Sequence, residues 1–163
     1  MSEGPRPPAL DPPALNPSTV PVRKGSPHRH PYREQLAGRQ KRALGDALGI
    51  ANFGVNLVEL GPGDWSSPRH WHSHEDEFVF VLDGELTLVT ESGEQRLTAG
   101  MAAGFPAGVE DGHHLVNRSD GPARYLEIGT RDLDDVAHYA DIDLLGRNGP
   151  DGRVFTNRKG EPY

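Results

Sequence analysis

The chain has no cysteine. That excludes a disulfide framework, a thiolate metal site and a cysteine nucleophile, and it fits a reducing compartment. Long apolar runs are missing too. No stretch approaches the roughly 18 apolar residues that a membrane span needs. The polar, Pro-rich first residues lack the apolar core of a secretory signal. These absences predict a soluble, cytoplasmic protein with no membrane partner. Apolar residues make up only 34% of the chain. They cluster between Phe53 and Ile128, so one core can form there. The net charge is −7 over 163 residues, which argues against nucleic acid as a partner.

The little positive charge is unevenly placed. Residues 1–45 hold eight Lys/Arg against three acids, +5, leaving −12 for the rest. No aromatic interleaving or DNA-binding helix pattern accompanies it, so we expect this basic arm to lie on the acidic body or on a partner subunit.

Glycine (20) and proline (15) are what the chain has in quantity. Nine of the prolines fall in residues 1–31, where they remove backbone donors and hold the chain extended. His28 and His30 lie among them with no nearby carboxylate, and read as loop surface. Residues 32–48 contain interior Gly38 and Gly45, predicting turns and one short helix. From Phe53 the period changes to two. Phe53, Val55 and Leu57 alternate with Gly54, Asn56 and Val58 in a strand ending near Leu60. Residues 77–82 are apolar on both faces, as expected between a core and a second packed layer. Asp83-Gly84 is a hairpin signal answered by residues 85–89. Turns at Glu91-Ser92-Gly93 and Ser119-Asp120-Gly121-Pro122 bound further strands. Some eight short strands within about 80 residues predict a sandwich or barrel, and the lack of long crossovers excludes a parallel sheet. The organisation expected is an arm (1–51), an all-β domain (52–130) and an irregular tail (131–163) with a hairpin around Val154-Phe155.

The chemistry lies between Gly63 and Asn117. His70 and His72 are two apart, so in a strand they share a face, with Trp71 on the other. Glu77 heads the next strand. His113 lies on a distant strand, with Leu115 and Asn117 on its face. Folding a barrel brings these strands together, so three neutral imidazoles and one carboxylate can share a metal. Nitrogen and oxygen ligands suit Fe(II), Mn(II), Co(II), Ni(II), Cu(II) or Zn(II). Positions left open to water or substrate are what a catalytic site needs.

These residues resemble the cupin superfamily, whose double-stranded β-helix (jelly-roll) domains carry G-x5-H-x-H-x3/4-E-x6-G and then G-x5-P-x-G-x2-H-x3-N. His70-x-His72-x4-Glu77-x6-Gly84 matches the first motif. Gly100-x5-Pro106-x-Gly108 and His113-x3-Asn117 match the second. Gly63 lies one residue too far from His70, and four residues rather than two separate Gly108 from His113. Both are loop-length changes outside the ligand spacings. The resemblance covers roughly residues 52–130, and the whole chain resembles the single-domain bacterial cupins. It implies a jelly-roll barrel with His70, His72, Glu77 and His113 as metal ligands. His114 competes with His113; the Asn117 spacing and strand alternation favour His113. His74 reads as exposed loop, Glu75 and Asp76 as solvated, and Trp65 and Trp71 as packing or subunit contact.

Two functions fit. One is a small metal-dependent enzyme acting on a small oxygenated compound, by dioxygenation or by isomerase or lyase chemistry. The other is a non-catalytic small-molecule or metal-binding module. A homodimer is expected, because the strand from Glu77 is apolar on both faces and the basic arm needs a surface.

Overall fold

The computed structural model describes residues 10–25, 31–150 and 152–163. Three antiparallel sheets organise them. The largest has six strands in the order β1 (Arg23–Lys24), β2 (Gln40–Ala43), β3 (Phe53–Leu60), β10 (Ala123–Thr130), β5 (Glu77–Asp83) and β8 (Ala102–Phe105). A three-stranded sheet runs β7 (Gly93–Thr98), β6 (Glu85–Thr90) and β9 (His114–Val116). A four-stranded sheet runs β13 (Gly152–Thr156), β12 (Leu145–Gly149), β11 (Val136–Tyr139) and β4 (His70–His72). Eight of these strands, β3 to β10, lie between residues 53 and 130, as the turn spacing predicts, and the fold is the all-β jelly roll.

It is not a closed barrel. The two smaller sheets meet through the single bridge His70↔His113. Irregular Gly- and Pro-containing segments at 61–69 and 106–112 stand where a closing ladder would run. The expected Asp83-Gly84 hairpin is also a different feature. Strands β5 and β6 on either side of it belong to opposite layers, so the turn is a corner. Gly84 has φ +74, and a Cβ there would sit 2.6 Å from the Pro122 carbonyl oxygen. Only glycine suits such a corner.

The inner face of the six-stranded sheet explains where the site sits. Directly opposed residues of antiparallel strands point the same way. The register places Val58, Tyr125 and Val81 in one inward row, Asn56, Glu127 and Val79 in the next, and Gly54, Gly129 and Glu77 beyond them. The first end packs on Leu86, Leu88, Leu97 and Leu115 of the opposite layer as the core. Fully burying side chains such as Leu60, Val81 and Leu86 contributes about 2 kcal/mol each. The other end of the same strands is polar and lines a pocket. This is why the inward face of β3 is the Gly54-Asn56-Val58 face, not the Phe53-Val55-Leu57 face that its hydrophobicity suggests. Val58 is fully buried and Phe53 is 41% exposed.

The outer face of β5 departs from expectation as well. Among the described residues no second layer covers it, and Phe78 and Leu82 stand exposed. Segments on both sides of residues 53–130 join the sheets. Residues 32–48 form two one-turn helices, α1 (Arg33–Leu36) and α2 (Leu44–Ala47), and between them β2, which pairs with β3. The tail supplies β11 against β4 and the expected hairpin, β12 with β13. No helix among the described residues is long and apolar enough to cross a membrane.

Candidate metal centre

Three segments deliver four side chains to one point. Strand β4 presents His70 and His72, whose ring centroids are 5.0 Å apart. Trp71 points the other way and stacks on His138 with its centroid at 4.0 Å. Glu77 begins β5. His113 is held beside His70 by a reciprocal backbone pair, with N···O distances of 3.2 and 3.0 Å. The Nε2 atoms of His113, His70 and His72 lie 2.9, 3.5 and 3.5 Å from a single oxygen, Glu77 Oε2.

The outer nitrogens fix the imidazole tautomers. His70 Nδ1 faces the Pro68 carbonyl at 3.0 Å, and His113 Nδ1 faces the Asp111 carbonyl at 3.2 Å. His72 Nδ1 faces Asp135 Oδ2 at 2.7 Å. Carbonyl and carboxylate oxygens only accept, so each Nδ1 donates to them; His70 Nδ1 has the Ser67 hydroxyl as a second, longer contact at 3.2 Å. A neutral ring then turns its Nε2 lone pair inward. Three inward lone pairs beside a half-buried carboxylate fit a divalent cation better than they fit each other. The Phe105 ring stacks on His113 at 3.5 Å and sets its plane. Burial alone would raise the Glu77 carboxyl, but hydrogen bonds donated by the His113 and His70 rings, the arrangement that holds while no cation takes their Nε2 lone pairs, keep it well below the usual carboxylate range.

A second group, His72, Glu75 and Asp135, also has metal-ligating types within reach of one another. Its acceptors are already occupied. Asp135 Oδ2 takes His72 Nδ1 and Arg153 Nη2 at 2.7 and 2.9 Å, and Oδ1 takes the backbone N–H groups of His74 and Glu75 at 3.0 and 3.3 Å. The group is a buttress that aims His72. Burial would lower the His72 imidazole pKa, yet the Asp135 contact raises it above its ordinary value.

The remaining residues sort plainly. His114 stays outside the cluster: its Nδ1 donates to the Ser67 carbonyl at 2.9 Å, and its ring packs edge-on against Trp65. His74 is exposed, with Nδ1 against Ser73 Oγ. Glu75 is half-buried on the pocket wall, contrary to the solvated reading, and burial raises its carboxyl pKa. Asp76 is exposed and accepts the Ala107 N–H at 2.8 Å. His28 and His30 lie outside the described residues.

Over the cluster opens a pocket of about 370 Å³, ample for a small metabolite. Its walls hold residues that the motifs do not flag. Glu127 is held by Arg39 Nη2 at 3.1 Å and Asn56 Nδ2 at 3.1 Å. Lys41, Arg131 and Arg153 also line it. The strand face of Glu127 is ambiguous in sequence and resolved only by register. The signal for Asp135 is weak, a single carboxylate ahead of the apolar strand β11.

Comparison with known proteins accords with this architecture. The profile of the cupin domain family matches residues 56–129. A crystal structure from Silicibacter pomeroyi DSS-3, described as a sugar phosphate isomerase of the cupin superfamily, is 42% identical. The match covers 93% of this chain and 96% of that one, with a TM-score of 0.88. A structure from Acidithiobacillus ferrooxidans, described as a putative sugar phosphate isomerase, is 28% identical over 86% of this chain and 89% of its own, TM-score 0.72. The tetracenomycin polyketide synthase protein TcmJ of Streptomyces glaucescens is 29% identical over 55% of this chain and 59% of its own length. The chain spans less than two thirds of the curated relatives it matches. With 42% identity along almost its whole length to a protein of that superfamily, the chain belongs to the cupin superfamily.

Proposed function

We propose that this chain is a metal-dependent isomerase that shifts the carbonyl of a small phosphorylated sugar to the neighbouring carbon. The observation that carries this reading is the convergence of three inward Nε2 atoms and the Glu77 carboxylate under a pocket that also holds a second carboxylate outside that cluster, Glu127, oriented by Arg39 and Asn56, and several cations. Identity of 42% to a structure described as a sugar phosphate isomerase supports it. His70, His72, His113 and Glu77 would hold the metal, a divalent transition ion suited to nitrogen and oxygen ligands. Bound there, it would act as a Lewis acid on the carbonyl and hydroxyl oxygens of the sugar.

Glu127 takes the proton from the carbon beside the carbonyl and delivers it to the former carbonyl carbon. The hydroxyl proton passes to the former carbonyl oxygen, so the reaction needs no redox partner. Arg39 and Asn56 keep the Glu127 carboxylate in one orientation throughout. Glu127→Gln keeps the size and loses the base. Its turnover of aldose phosphates should fall by about 10²- to 10⁴-fold, with metal content unchanged. Solvent deuterium should enter the substrate C–H in wild type and not in the variant. Ligand binding without turnover in metal-restored protein would favour the non-catalytic module, and oxygen consumption would favour dioxygenation.

The exposed outer face of β5, with Phe78 and Leu82, further supports pairing of two copies of the chain. Light scattering at micromolar concentration should give the mass of a dimer; a monomer would refute this pairing.

A further inference from the structure

The pocket's cations fall into two sets. Deep in the wall, each is matched to its own carboxylate: Arg39 to Glu127 at 3.1 Å and Arg153 to Asp135 at 2.9 Å. The other three, Arg23 and Arg131 at the exposed rim and Lys41 half-buried in the wall as the cross-strand partner of Arg23, have one acid between them. Arg131 hydrogen-bonds Asp46, and Arg23 lies 4.0 Å from the same carboxylate. Lys41 has no carboxylate within ion-pair distance among the described residues. This second set therefore carries a surplus of two positive charges.

We propose that Lys41, Arg23 and Arg131 form the subsite for the phosphate monoester of the substrate, a reading that rests on the isomerase assignment above. A phosphate monoester carries close to two negative charges at neutral pH and three acceptor oxygens. It cancels the surplus, whereas a carboxylate leaves one charge over. Position agrees with charge. Arg23 and Lys41 are direct cross-strand partners in β1 and β2, and like charges so placed repel unless an anion lies between them. Burial lowers the pKa of the Lys41 amine, and Arg39 and Arg23 push the same way against the pull of Glu127. An arriving dianion relieves that repulsion. The side chains of Arg23 and Arg131 are 69% and 44% exposed, against 13% for His70 and 5% for His72. Arg23 and Arg131 thus lie at the mouth, Lys41 is half-buried in the same wall, and the histidines lie at the floor of one pocket, the two ends that a phosphorylated sugar needs. The basic arm acquires a purpose: Arg23 and Lys41 both come from it.

The test uses inorganic phosphate as probe and metal-free, chelator-treated protein, so that phosphate cannot bind through a metal. Calorimetry should detect binding to wild type. Losing one charge-assisted contact should weaken it about tenfold in Lys41→Met, and Arg23→Met should weaken it less. Lys41→Arg should restore most of the affinity, and Arg96→Met, a remote cation, should change nothing. No binding to wild type, or equal binding to Lys41→Met, overturns the subsite. Lys41-dependent phosphate binding without turnover of any aldose phosphate sinks the isomerase reading and leaves the subsite standing. Turnover with an unchanged KM in Lys41→Met sinks the subsite alone.

Discussion

Two groups of histidine and carboxylate meet at His72, and they differ in what their lone pairs are doing. In the first, Glu77 faces three imidazoles whose outer nitrogens are already engaged, so the inner nitrogens have only one another and Glu77. In the second, Asp135 receives four donors and has nothing left to offer. Residue type alone does not separate the groups; both contain histidine next to a carboxylate shielded from bulk solvent. Counting donors against acceptors does. One group is the candidate for a cation, and the other holds a ring of the first in place.

The largest expected effect tests the first group. Glu77→Gln or His113→Ala should take bound metal from about one equivalent to near zero by elemental analysis; full occupancy in either variant would erase the distinction. Next comes the buttress. Asp135→Asn should keep stoichiometric metal at saturation but weaken its affinity about 10- to 100-fold. It should also cost about 3 kcal/mol of stability, because Arg153 loses its buried partner. If Asp135→Asn abolishes metal at saturation, the carboxylate is a ligand and the two groups are one.

The smallest effect is a pH profile of the metal-free protein. Glu77 and Asp135 bind protons less tightly when folded, from ordinary values of 4.5 and 3.8. Their contribution is complete above those values and is lost as pH falls through the folded ones. His72 binds its proton more tightly than its ordinary 6.5. Its contribution is present below 6.5 and lost as pH rises through the folded value. Urea midpoints should therefore peak between pH 4.5 and 6.5 and fall on both sides. Glu77→Gln should shrink the acid limb without removing it, since Asp135 remains.

Much of this was legible beforehand, for reasons tied to particular residues. The His70-x-His72 spacing names a strand face whatever the tertiary structure, and turn residues mark where strands end. The inward phase of β3 was not legible. Its most apolar residues face out, because half of the inner face serves a pocket and carries Asn56 instead of an aliphatic residue. Strand β2 was hidden because its sequence, Gln40–Ala43, is polar and basic; register against β3, not hydrophobicity, puts it in the sheet. The inward face of Glu127 and the role of Asp135 were not legible because their partners Arg39, Asn56 and His72 are 88, 71 and 63 residues away. No local pattern carries contacts of that range.

The placement of β10 between β3 and β5 bears on how the chain is made. Strand β10 ends at Thr130 and is the ladder partner of both. As the chain leaves the ribosome, β3 and β5 wait without their shared neighbour until residue 130 has emerged. Sheets closed by such distant pairings fold slowly, on the order of milliseconds to seconds. During that wait Val58 and Val81 are open to solvent and to other chains. Synthesis stalled before residue 123 should therefore leave an aggregation-prone fragment that chaperones hold, and release past residue 130 should let the six-stranded sheet form in one step.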